Sequence, residues 1–196
     1  MLTIRELGLG APALEQQLLR TVFNVIARNQ DDHVKNIAFL MDRAGEWPLS
    51  PAFDMNYSYN PSDDWTGQHQ MSLNGKRDGF AMDDLLAFAE TASIKPAKAK
   101  TFISNVGEAV SNWPQYAENA GVDDATTQRI GNAHQLSLGS KMQECGSFGA
   151  FFAAPPVNWY LPRPDRGGTV CLNSSGRFAK WISAWIMPPP SSASAR

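Results

Sequence analysis

A mainly α fold with one or two small β-hairpins is what this sequence predicts. Three observations carry that expectation. Apolar residues recur at helical spacing in several segments of the first 138 residues. The strand-like runs are short and bounded by turn residues. Near residue 138 the regularity stops and Gly and Pro accumulate, dividing the chain into a lobe over 1–138 and an irregular tail over 139–196.

Each element follows from its residues. From Ala13 to Arg28, Leu14, Leu18, Val22 and Ile26, flanked by Leu19 and Phe23, form the stripe of an amphipathic or mostly buried helix. Pro12 suits its first turn. The periodicity ends at Asn29, so a polar run over 29–36 is delivered from a rigid base. Ile37–Met41 reads as a short strand, Asp42–Glu46 as a turn in which Gly45 is free to take positive φ, and Trp47–Ser50 as a returning strand limited by Pro48. Such a hairpin would bring Asp54 back towards Asn36. Residues 56–70 make a long loop with Tyr57, Tyr59 and Trp65, the kind of loop that often carries function. An Asn74-Gly75 turn signal marks a second hairpin over 71–80. Helices follow over Asp83–Ala92, from Pro96 through Phe102, Ile103, Val106 and Val110 until the pattern fades near Trp113-Pro114, and from an Asp123 or Asp124 cap through Ile130 towards Leu136. In the tail, one short helix is expected over 178–187 and a poorly ordered end after it.

Composition narrows the class. With 196 residues and an apolar fraction of 43% the chain can bury a core, and a net charge of -2 gives no basic face for direct nucleic-acid binding. Cys145 and Cys171, the only cysteines, form neither a disulfide framework nor a zinc motif, which points to a reducing compartment. No apolar run reaches a membrane span and no signal-peptide core opens the chain, so a cytoplasmic protein is expected.

The chemistry sits in Asn29-Gln30-Asp31-Asp32-His33-Val34-Lys35-Asn36 and in Asp54. Asp31 and Asn36 have the spacing of the Asp-x-x-x-x-Asn catalytic loop of protein kinases. Asp31 would orient a hydroxyl or act as base. Asn36 offers a neutral oxygen and Asp54 a charged one, both suited to magnesium. Lys35 could neutralise a phosphate or only stabilise the loop. His33 reads as a hydrogen-bonding brace, and Asp32 as a solvated neighbour or cap. Two other readings compete. Asp, Asn and His populate loops because they bond to nearby backbone. A hydrolytic metal site built on Asp31, Asp32 and His33 would need further ligands, and His69 and His134 have no ligand spacing. His69, Lys76 and Arg77 are candidate ligand contacts whose plainer reading is surface polarity.

Residues 18–80 resemble the C-terminal kinase lobe of the HipA-like serine/threonine kinases, the toxins of type II toxin–antitoxin pairs. The Asn-x-Asp-x-His-x-Lys-Asn pattern is complete over 29–36, Pro51-Ala52-Phe53-Asp54 matches Pro-Ala-Tyr-Asp, and His69–Lys76 is similar to the family as well. The resemblance implies a protein-kinase-like C-lobe. It makes Asp31 the catalytic aspartate, Asn36 and Asp54 the magnesium ligands, and His33 and Lys35 loop-ordering or phosphate-contacting residues. It implies ATP as phosphate donor, a protein substrate such as an aminoacyl-tRNA synthetase, and a DNA-binding antitoxin as partner. About seventeen residues precede the first matched helix, too few for an ATP-binding N-lobe. The expectation is therefore a catalytic lobe completed by a separate N-lobe chain, or an inactive lobe that binds an antitoxin or companion lobe.

Overall fold

Six α-helices organise the described residues, 1–140, of the computed structural model. They are α1 (Leu2–Glu6), α2 (Ala11–Ile26), α3 (Met82–Thr91), α4 (Pro96–Ser111), α5 (Trp113–Asn119) and α6 (Asp124–Ala133), with 3₁₀ turns at Val34–Asn36 and Leu136–Leu138. The tail expected over 139–196, with its helix over 178–187, lies outside the described residues beyond Ser140. Among the described residues no helix is long and apolar enough to cross a membrane.

The mainly helical expectation holds. α2 packs chiefly on α4, and α4 also receives α3 and the second 3₁₀ turn. Leu18, Val22, Val25 and Ile26 of α2 meet Leu85 of α3 and Ile103 of α4 in a core with none of these side chains exposed. Truncating one of them, Leu18→Ala for instance, would cost about 2–5 kcal/mol. α4 and the turn at 136–138 approach so closely that a Cβ on Gly107 would lie 2.5 Å from the Gly139 Cα. Glycine at both positions is what permits the crossing.

Helix ends follow capping chemistry. α2 stops at Ile26 because Arg28 takes a φ of 60°, which no continuing helix allows. Arg28 is held there by a bond from Nε to the Ala133 carbonyl, an ion pair to Asp78 and stacking on Tyr59. Asp123, rather than Asp124, caps α6 by accepting the Thr126 amide at 2.9 Å. Two helices were not expected from the sequence. α1 is a single short turn-and-a-half, seated by buried Ile4 and clipped to the end of α3 by Arg5. α5 begins at Trp113-Pro114, where proline opens a helix instead of ending one.

The two expected hairpins shrink to isolated bridges, and no strand forms among the described residues. In the first, Phe39 pairs with Leu49, the Leu40 amide donates to the Pro48 carbonyl and the Ser50 amide to the Ala38 carbonyl. Pro48 lacks the donor that would extend the ladder, and Leu40, Met41 and Trp47 face solvent rather than another layer. The reversal still happens, with Gly45 at φ 87°, and it returns Asp54 to the loop over 29–36. In the second, Leu73 and Lys76 exchange both backbone bonds at 2.9 Å around Asn74 and Gly75. Both central residues have positive φ, 50° and 77°, the requirement of the tightest hairpin turn.

Candidate functional site

The polar loop leaves α2 at Arg28 and is held on two sides. The Gln30 amide donates to the Ser58 carbonyl and the Ser58 amide to the Arg28 carbonyl, while the Gln70 amide donates to the Gln30 carbonyl. Asn29 and Gln30 are buried, at 2% and 0% exposure. Asn29 Nδ2 donates to Asn24 Oδ1 and to the Asp54 carbonyl, 3.0 and 3.1 Å away. That second bond matters because Asp54 has a φ of 54°. A non-glycine residue in this region is uncommon and persists when its surroundings fix it.

Asp31, Asn36 and Asp54 come together. Asn36 Nδ2 donates to the Asp31 carbonyl at 2.9 Å and to Asp54 Oδ2 at 3.0 Å. Both amide hydrogens are thereby committed, and Oδ1 is the atom left for a ligand. Asp54 Oδ1 accepts from Asn56 Nδ2 at 3.1 Å. Asp31 Oδ1 accepts the indole N–H of Trp65 at 2.7 Å, and His33 Nε2 lies 3.7 Å from the same oxygen. Lys35 is exposed on the 3₁₀ turn and makes no side-chain hydrogen bond or ion pair among the described residues. Beneath the loop is a pocket of about 60 Å³, lined among others by Gln17, Arg20, Asn29, His33, Asn36 and Asp54. The Arg20 guanidinium donates to the Ser50 carbonyl, and burial lowers its pKa from the ordinary arginine value.

Two sequence expectations require correction. Asp32 is not a solvated neighbour: its side chain is 1% exposed, and that of His69, expected at the surface, is 0% exposed. His69 Nδ1 lies 2.6 Å from Asp32 Oδ2, while Asp32 Oδ1 accepts the Gln70 and Met71 amides at 2.8 and 3.0 Å. Three of its roughly four acceptor sites are taken, and no group of three or more His, Cys, Asp or Glu side chains gathers for a metal among the described residues, which argues against the hydrolytic site on Asp31, Asp32 and His33. Lys76 and Arg77 serve the loop rather than a ligand. Lys76 pairs with Asp84 at 2.8 Å, and Arg77 Nε donates to the His69 carbonyl at 2.7 Å. The Lys76 bond, then the Ala81 amide and the Asn74 amide, hold the Asp84 carboxyl down at about 2. Sequence reasoning assigned no role to Trp65. The signal was there, an aromatic in a long loop, but nothing in the spacing shows where an indole points.

A larger cavity of about 520 Å³ lies elsewhere, lined by Val110, Trp113, Thr127 and His134 among others, and holds none of the expected site residues. Burial alone pushes the His134 imidazole down to about 4.

Asn36 Oδ1 and the Asp54 carboxylate are hard oxygens of the kind magnesium takes, although it is the Asn36 amide nitrogen that faces Asp54 here, so sharing one ion would need the Asn36 amide turned over. No group of three or more His, Cys, Asp or Glu side chains clusters for a metal among the described residues, so this is not a closed protein cage. Magnesium commonly takes one or two protein ligands and fills its shell with water and phosphate oxygens.

No curated protein matches the chain. A family model does, over residues 1–113, and its description is the HipA-like C-terminal domain. That match covers more than half of the 196 residues and includes both the loop at 29–36 and Asp54. With the two motifs inside the matched region, the chain belongs to the HipA-like C-terminal domain family.

Proposed function

We propose that this chain carries the catalytic, kinase-like C-lobe of a protein serine/threonine kinase that uses ATP and magnesium. The observation that carries the reading is the Asn36 side chain, bonded at once to the Asp31 backbone and the Asp54 carboxylate. One amide thus fixes the separation between the hydroxyl-orienting residue and the metal-binding pair. Phosphoryl transfer asks mainly for such positioning and for charge neutralisation. Asp31, its side chain 34% exposed, would orient the acceptor hydroxyl of a protein substrate and take its proton. Asn36 Oδ1 and Asp54 would hold magnesium, which when bound neutralises phosphate charge. His33, near Asp31, orders the loop. Lys35, exposed on the 3₁₀ turn, would be free to meet phosphate.

A second reading is a lobe without activity that binds a DNA-binding antitoxin or a companion ATP-binding lobe. The exposure of Val34, Leu40 and Met41 around the loop, 81%, 55% and 62%, favours a surface that something covers. One assay separates the two. Transfer of labelled γ-phosphate from ATP to added protein is measured with and without a matching ATP-binding lobe. Transfer that Asp31→Ala and Asp54→Ala each abolish supports the kinase. A stable complex with the lobe and no transfer supports the binding module, and transfer surviving Asp31→Ala refutes the assignment of the base.

A further inference from the structure

We propose that Trp65 is a positioning residue for Asp31: its indole N–H holds one carboxylate oxygen and leaves the other to receive the acceptor hydroxyl's proton. The proposal rests on the kinase reading above.

Trp65 is 54% exposed, so burial does not account for where its ring lies. What holds it is polar. Nε1 donates to Asp31 Oδ1 at 2.7 Å, and His33 Nε2 stands 3.7 Å from that same oxygen. Asp31 Oδ2 accepts no hydrogen bond among the described residues, and the side chain is 34% exposed. Both neighbours therefore sit on one oxygen and neither on the other. A carboxylate exchanges its oxygens by a half-turn about its terminal torsion, and a bond to one of them stops that rotation. An indole suits the task because it donates only and does not titrate. It orients the base without competing for the proton that moves from the hydroxyl to Oδ2.

The loop that presents the indole is built for a fixed position. Asp63 Oδ2 accepts both the amide and the hydroxyl of Thr66 at 2.7 Å, and the Gly67 amide donates to the Asp63 carbonyl at 2.8 Å. A Cβ on Gly67 would come within 2.5 Å of that carbonyl. Gln70 donates its side-chain amide to the Trp65 carbonyl. The backbone at 70–71 is in turn fastened to Asp32. The Asp31-Asp32 dipeptide is thus gripped twice by one loop, through a buried anchor at Asp32 and through the indole at Asp31.

Two measurements test the proposal on the full 196-residue chain. In the first, the Trp65 indole N–H resonance is assigned with Trp65→Phe and followed in ¹H–¹⁵N spectra. Asp31→Ala should shift it upfield and speed its exchange with water, whereas Asp31→Asn, which keeps an acceptor oxygen, should shift it less. An indole resonance indifferent to Asp31→Ala would overturn the proposal without touching the kinase reading. In the second, the phosphate-transfer assay compares Trp65→Phe with the unmutated chain. Trp65→Phe should lower kcat by roughly ten- to a hundredfold with KM for ATP unchanged, as loss of base orientation implies. An unchanged kcat in Trp65→Phe, beside an inactive Asp31→Ala, would also overturn it. Undiminished transfer by Asp31→Ala would instead sink the reading on which it rests.

Discussion

Asp32→Ala should be among the most destabilising single changes in this lobe, because its side chain is buried at 1% exposure. Its carboxylate satisfies three groups: the Gln70 amide at 2.8 Å, the Met71 amide at 3.0 Å and His69 Nδ1 at 2.6 Å. Alanine strands the Met71 amide and His69 and leaves the Gln70 amide only its 3.3 Å bond to the Gln30 carbonyl, beside side chains that are 0–1% exposed. Each stranded donor costs about 1–3 kcal/mol, and partial entry of water brings the sum to about 3–5 kcal/mol. Asp32→Asn keeps an oxygen for the two amides and disturbs only the imidazole, so about 1–2 kcal/mol is expected. Urea unfolding followed by circular dichroism reads both values. The order of the two variants matters as much as their size. If Asp32→Ala unfolds within about 1 kcal/mol of the unmutated chain, the buried anchor is not what holds the loop over 65–71, and the reasoning fails. A double-mutant cycle with His69→Phe isolates the Asp32–His69 coupling from the amide contribution.

Two further outcomes are expected. Burial lowers His134 from the ordinary 6.5 to about 4, so the unfolded chain binds the proton more readily between those values. Its contribution is therefore intact above about pH 6.5 and is lost as pH falls towards 4, by about 1–2 kcal/mol once its partial exposure is allowed for. His134→Phe should flatten that part of the stability–pH profile, and an unchanged slope would show that another group is responsible. Gly107→Ala places a methyl 2.5 Å from the Gly139 Cα. It should cost about 1–3 kcal/mol in thermal unfolding, whereas Gly131→Ala, whose nearest contact is a 3.4 Å approach to the Trp113 ring, should cost less.

How much of this was legible in the sequence depends on the range of the interaction. The helices were, because their signals are local. The Leu14, Leu18, Val22, Ile26 stripe needs only its own period, and Asp123 accepts the Thr126 amide only three residues on. The Asn74-Gly75 turn was legible for the same reason. The hairpins failed as strands because strand formation depends on what lies alongside, and here little does. The contacts that brace the site were illegible for a related reason. Asp32 and His69 are 37 residues apart and Asp31 and Trp65 are 34 apart, and no spacing rule links an aspartate to a histidine or an indole across a loop. Asp32 looked solvated because polar residues in loops usually are. Its burial follows from two backbone amides that no local reading supplies.

The loop over 29–36 resolves into two sets of residues with opposite duties. Asn29, Gln30 and Asp32 are buried, and they bind the backbone at 54, 58 and 70–71. Asp31, His33 and Asn36 are partly exposed, and Val34 and Lys35 face solvent. A polar loop exposed along its whole length would leave Asp31 and Asn36 free to move relative to Asp54. Burying alternate polar residues costs desolvation, and that cost is met only where each finds partners. The partners come from the segments that carry Asp54 and Trp65. The hydrogen bonds made by Asn29 Nδ2, the Asp32 carboxylate and the Gln30 backbone therefore set the position of the open set, while the buried Gln30 side chain makes none among the described residues. That is why the density of the motif, rather than the Asp31–Asn36 spacing alone, marks the site. A chain with the spacing but without Asn29 and Asp32 would keep the Asn36 bonds to Asp31 and Asp54 and lose the buried anchors to the backbone at 54 and 70–71.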